Sequence, residues 1–142
     1  MMHGPDTPRR MSRRTPRPNP ASIGRRLKRN VRIGDRRTTI VLEACVWDSI
    51  DSMLDLEDVS LDEFCARVEA SRLQSSMASS ARLVVLTYFR LLEQINSPPF
   101  IDPELGRLQR ERRLRAPDPA DPPLPLLQLA LRRFAQDEAR VE

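Results

Sequence analysis

The stretch RRTTIVLE, Arg36 to Glu43, limits what this chain can fold into more than any other. It is rich in β-branched residues and alternates. Thr38, Ile40 and Leu42 fall on one face and Arg37, Thr39 and Val41 on the other, following the two-residue period of a strand. The residues after it are patterned for helices, so the strand has no sheet to join downstream. A lone strand leaves two rows of backbone groups unpaired and is not stable by itself. A second copy of the chain, pairing antiparallel about a two-fold axis, is one partner. The preceding segment VRIGD, Val31 to Asp35, ends in a turn signal at Gly34-Asp35 and can extend the ribbon or form a small hairpin with Thr38 to Leu42. A core of about 60 residues is marginal for a monomer, which favours the second copy. The expected fold is mainly α with one short β-strand, in a dimer joined by an intermolecular two-stranded antiparallel ribbon.

Helical spacing begins where the strand ends. Leu42, Val46, Ile50 and Met53 or Leu54 mark a first helix from Glu43 to about Leu54, with Trp47 flanking the stripe as a core or dimer-interface residue. Asp55 to Val59 is a turn. Ser60-Leu61-Asp62-Glu63 is a capping box and starts a second helix with Leu61, Phe64, Cys65 and Val68 as its apolar stripe. Ser79 or Ser80 caps a third helix that runs to about Gln94 and is apolar on more than one side, including Val84, Val85 and Tyr88. A helix of that kind packs against two things, here the core and a dimer partner. The expected dimer core is Thr38, Ile40, Leu42, Val46, Trp47, Ile50, Phe64, Val68, Val84, Val85 and Tyr88. Arg82 and Arg90, two turns apart, are expected to pair with acids in preference to DNA. Beyond a break at Asn96 to Pro99, Ile101 to Arg115 is patterned as a short basic helix and Ala116 to Pro125 as a proline-rich linker. Leu126 to Val141 is amphipathic through Leu127, Leu131 and Phe134. It can dock on the body, recruit a partner protein or pair with its copy. The chain thus divides into a disordered arm (1–30), a folded domain (31–96), a linker with a short helix (97–125) and a C-terminal helix (126–142).

Charge is distributed unevenly. Residues 1–37 carry a net +10, residues 38–96 a net −6, and the whole chain +4. An arginine-rich arm on an acidic body is the pattern of a tail that binds polyanions. Arg25, Arg26, Lys28, Arg29, Arg32 and Arg36 are the expected phosphate contacts. Other chemistries find no support. The two cysteines, Cys45 and Cys65, sit among apolar neighbours and read as buried reduced thiols, and the single histidine is His3, so no metal site and no cofactor are expected. There is no glycine-rich phosphate loop and no nucleophile with a base beside it, which speaks against an enzyme. No apolar run has transmembrane length and the basic N-terminus has no secretory apolar region, so the expected location is cytoplasmic, with the nucleoid.

In order and spacing, RTTIVLE, the tryptophan of VWDSI, SLDEFCARVEA and SSARLVVLTYFR resemble the ribbon-helix-helix family. They are most similar to the bacterial domains in which a third helix follows the usual two. The resemblance covers roughly Val31 to Leu92. It implies a homodimer that reads double-stranded DNA in the major groove with its ribbon, in transcriptional control, with the start of the second helix, Ser60 and Leu61, on a phosphate. Free backbone N–H groups at a helix start give that contact a physical basis. By strand parity the side chains facing the bases are Arg37, Thr39 and Val41. Two alternatives stand beside this reading. One is a weakly specific architectural or DNA-processing accessory in which the arm does most of the binding. The other is an adaptor that binds another protein through the C-terminal helix, as antitoxins of this fold do.

Overall fold

In the computed structural model, residues 23–96, 102–114 and 124–140 are described. Two strands, β1 (Arg26–Ile33) and β2 (Arg36–Glu43), are followed by α1 (Ala44–Glu57), α2 (Leu61–Ser71), α3 (Met77–Ile95), α4 (Pro103–Leu114) and α5 (Leu126–Ala139). The fold is mainly helical around a two-stranded antiparallel ribbon, as expected. The pairing of that ribbon differs from the expectation of one strand per chain. β1 and β2 belong to the same chain and pair in continuous register from Arg26↔Glu43 to Ile33↔Arg36. The reason is the two-residue turn between them. Gly34 takes φ +63°, and Asp35 is not among the residues with positive φ, the sign pattern of a II′ hairpin turn with glycine in its first central position. Such a turn matches the right-handed twist of the strands, so β2 meets its partner locally. Arg26 to Asn30 is accordingly strand, a correction to the disordered arm drawn through residue 30. The arm up to residue 22 and the proline-rich stretch 115–123 lie outside the described residues.

The helices close over one face of the hairpin. Val31, Ile40 and Leu42 from the ribbon, Trp47, Ile50 and Met53 from α1, Phe64, Cys65 and Val68 from α2, and Val84, Val85, Tyr88 and Leu91 from α3 form one buried cluster. Most of the side chains read as a dimer core are therefore buried inside a single chain, and their burial requires no second copy. Thr38 and Val46 are only partly buried. Val46 yields its place because the inward stripe of α1 is Ala44, Trp47, Ile50 and Met53. The same rotation leaves Cys45 exposed, against the expectation of two buried thiols. Cys65 is buried, and its thiol is pushed up to about 12 by burial, with Asp62 adding to the effect.

Ser60 caps α2 as its sequence announces, its hydroxyl accepting from the Glu63 N–H at 3.1 Å. α3 starts earlier than expected. Ser76 is its cap, accepting from the Ser79 N–H at 3.1 Å, and Ser80 is buried with its hydroxyl donating to the Ser76 carbonyl at 2.7 Å. At the other end of the chain, α5 docks on its own body against α2 and α3. Leu126, Leu127, Leu129, Ala130, Leu131 and Phe134 are buried there. Arg133 pairs with Asp102 and Glu104 at the start of α4, and Arg132 also pairs with Glu104. The Glu138 carboxylate accepts from the N–H groups of Leu73, Gln74 and Ser75 at 2.8–3.1 Å and from the Ser75 hydroxyl at 2.8 Å. Those bonds, led by the backbone one from Leu73 and then the Ser75 hydroxyl, lower its pKa to about 2. Of the three roles open to the last helix, docking is the one the structure displays.

Candidate nucleic-acid interface

Directly opposite residues of an antiparallel pair project to the same side, so the hairpin register sorts its side chains into two rows. The inward row is Leu27, Arg29, Val31 and Ile33 on β1 with Arg36, Thr38, Ile40 and Leu42 on β2. The outward row is Arg26, Lys28, Asn30 and Arg32 opposite Glu43, Val41, Thr39 and Arg37. Arg26, Lys28, Asn30, Arg32, Arg37 and Thr39 are exposed, and Val41 and Glu43 are partly buried. Parity therefore places Arg37, Thr39 and Val41 on the outward face, where sequence reasoning put them. Four cations share that face with one carboxylate, Glu43, at the end away from the turn. Arg82 neutralises it, donating to its two oxygens at 2.9 and 3.2 Å. The Arg82 hydrogen bond, foremost, holds the Glu43 pKa below the ordinary carboxylate value. The result is a narrow two-stranded ribbon, basic along its length, with uncharged polar groups at its centre.

Arg29 does not belong to this surface. It points inward from β1, where its guanidinium donates to both carboxylate oxygens of Asp51 at 2.8 and 2.9 Å and lies 4.5 Å from the centre of the Trp47 ring. Its expected phosphate contact is therefore corrected to a structural one. Desolvating an arginine is costly, and a bidentate carboxylate with an aromatic face offsets that cost. Arg25 and Arg36 are exposed, and Arg36 lies 3.6 Å from Glu69 beside the turn. Ser60 and Leu61 lie elsewhere. With Arg29, Asp51, Asp55 and Asp58 they line a cleft of about 410 Å³. An anion entering there would meet three carboxylates, so this helix start and the basic row are electrostatically opposed. The neighbouring Asp62 carboxylate accepts from the backbone N–H of Arg32 at 3.0 Å, which fixes the ribbon against α2 and satisfies a donor on the edge of β1.

Sequence reasoning missed Asn30. The signal was the parity of RLKRNVRI about Gly34-Asp35, which puts Asn30 opposite Thr39 in the outward row. Arg29 hid it by interrupting the apolar alternation of Leu27, Val31 and Ile33.

Residues 26–89 match a family model described as a ribbon-helix-helix domain. No curated protein and no solved structure matches the chain. The matched span begins with the first residue of β1 and takes in the hairpin, α1, α2 and most of α3, leaving α4 and α5 outside it. A ribbon, two helices in sequence and a third packed beneath them thus coincide with the family match, and residues 26–89 resemble a ribbon-helix-helix domain both in sequence and in the order of their elements.

Proposed function

We propose that this is a DNA-binding regulator that lays the outward face of its hairpin in the major groove and acts as a homodimer. The observation that carries the reading is the charge of that face. Arg26, Lys28, Arg32 and Arg37 converge on one exposed ribbon, and its single acid is already paired with Arg82. A two-stranded ribbon fits the width of the major groove, and phosphate contacts from such a row hold it there while its central side chains meet base edges. Arg37, Thr39 and Val41 serve as base contacts, and Arg25, Arg26, Lys28, Arg32 and Arg36 as phosphate contacts, joined by the arginines of the N-terminal arm. The test is selection of binders from a random duplex pool, followed by titration of the selected duplex at several salt concentrations. Replacing Arg26 and Arg32 together with alanine is expected to weaken binding and to reduce the slope of log affinity against log salt by roughly 2, about 0.9 for each phosphate that is no longer neutralised. An unchanged slope in a folded double variant contradicts the reading. Binding to every duplex with no selected motif turns it into that of a weakly specific accessory.

The ribbon does not by itself call for a dimer, because each strand already has a pairing partner within one chain. The support is on α3, where Leu83 and Leu86 are 45% and 59% exposed one turn apart. An antiparallel pairing of two α3 helices about a two-fold axis sets Leu83 of one copy against Leu86 of the other. It also places Glu93 toward the N-terminus of the facing helix, where negative charge is favoured. Light scattering at micromolar concentration is expected to give twice the chain mass, falling to one chain mass when Leu83 and Leu86 are both changed to glutamate. A monodisperse wild-type monomer at that concentration rules the dimer out. The adaptor reading loses its main support, because the apolar face of α5 is already buried on its own chain.

A further inference from the structure

We propose that Asn30, aimed by Thr39, is a specificity-determining residue of the ribbon and that the pair recognises an adenine in the major groove. The proposal rests on the DNA-binding reading above and adds to it a reading residue on β1 and the base it selects. Asn30 and Thr39 are register partners at the centre of the outward face, and both are exposed. The Thr39 hydroxyl donates to Asn30 Oδ1 at 2.8 Å. That bond occupies one lone pair of the amide oxygen and turns the amide so that the two N–H donors of Nδ2 are left for another partner. Thr39 Oγ1 has spent its proton on Asn30 and presents only lone pairs. The couple therefore offers donors from Nδ2 beside acceptors on Oγ1 and Oδ1.

Among the bases, adenine shows the complementary pattern, with the N7 acceptor next to the N6 amino donor. Guanine offers two acceptors in the major groove and suits an arginine instead, here Arg37, which stands next to Thr39 along the outward face of β2. On the other side of the couple is the Lys28–Val41 pair. Asn30 is the one uncharged residue among the outward side chains of β1, so a base discriminated by hydrogen bonding rather than charge falls to it. A cross-strand Asn–Thr bond between exposed residues contributes little to folding, so a purely structural role would leave no trace in base preference.

The experiment uses the full chain and the duplex selected from a random pool. Each base pair of the selected motif is varied in turn and affinity is read by fluorescence anisotropy. One adenine position is expected at which any other base weakens wild-type binding on the order of 10-fold or more. Asn30→Ala is expected to flatten the preference at that position alone, with the remaining positions keeping theirs. Thr39→Val keeps the β-branched shape but removes the hydroxyl, and is expected to reduce the same preference. Asn30→Asp leaves only acceptors and is expected to move the preference toward cytosine, whose exposed group is an amino donor. The proposal is overturned if no position depends on adenine, or if Asn30→Ala and Asn30→Asp both retain the wild-type preference. A chain that binds duplex without any motif overturns this inference and leaves DNA binding standing. A chain that binds no duplex overturns the underlying reading instead.

Discussion

A chain lacking residues 1–30 is expected to lose its cooperative unfolding transition, whereas one lacking residues 1–22 is expected to fold. The longer deletion removes Arg26 to Asn30, the register partners of Glu43, Val41 and Thr39 on the outward row and of Leu42 and Ile40 on the inward row. It takes Leu27 from the edge of the core, and with it the carbonyl that accepts the Trp47 Nε1–H at 2.9 Å. It also removes the Ile23 and Arg25 carbonyls, which accept from the N–H groups of Cys45 and Ala44 at 3.0 and 2.7 Å at the start of α1. Asp51 is deprived of Arg29 as well. Each donor or acceptor left buried without a partner costs about 1–3 kcal/mol. Several such penalties, with the exposure of Ile40 and Leu42, consume a stability of about 5–15 kcal/mol, typical of a small domain. The shorter deletion leaves all of these interactions in place. Circular dichroism during urea titration distinguishes the two. A cooperative helical transition in the longer deletion would mean that the hairpin is not required for the core.

Replacement of Trp47 by alanine is expected to destabilise the domain by about 3–5 kcal/mol, the range for emptying a large aromatic site in a core. Trp47 is 1% exposed and stands between the hairpin and α1. Its removal vacates the largest fully buried side-chain site, leaves the Leu27 carbonyl without its indole donor, and strips Arg29 of the ring beneath its guanidinium. Trp47→Phe keeps most of the volume and a ring face and is expected to cost less, chiefly the indole hydrogen bond. The check is the shift of the urea midpoint at constant m-value. A shift equivalent to less than about 1 kcal/mol in the alanine variant would show that the site collapses around the gap, against the range expected for such substitutions.

The elements legible in the sequence were those fixed by local physics. Ser60 and Glu63 announce the start of α2 because a cap needs only its own turn. The facing of Thr39 and Ile40 follows from a period of two. What escaped reading depended on partners far along the chain. β1 carries Arg29 on its buried side, which only Asp51 and Trp47, about twenty residues on, make tolerable. Sequence alternation alone therefore stops short of Arg26. Cys45 reads as buried from its apolar neighbours in sequence, while the inward stripe of α1 is Ala44, Trp47, Ile50 and Met53, which leaves it outside. The cap of α3 is expected at Ser79 or Ser80, one turn late, and the extended backbone of Ser76 with its hydroxyl accepting from the Ser79 N–H fixes it at Ser76. At the candidate interface the strand facing was readable. The departure of Arg29 from it and the entry of Asn30 were not, since both lie in Arg26 to Asn30, the part of β1 that the sequence reading assigns to the arm.

The two-residue turn at Gly34-Asp35 also sets the kinetic order of assembly. An interchain ribbon forms only when two chains meet, so its folding rate rises with protein concentration. Here the strands are joined by the shortest common hairpin connection, and closing it is a unimolecular event on the microsecond scale, about 1–10 μs for a hairpin. Secondary structure and core can then be complete at dilutions where no second chain is near. The proposed association of two chains would then be a later step with its own rate, acting on surfaces that are already formed, and changes that weaken it would leave the refolding of each chain untouched.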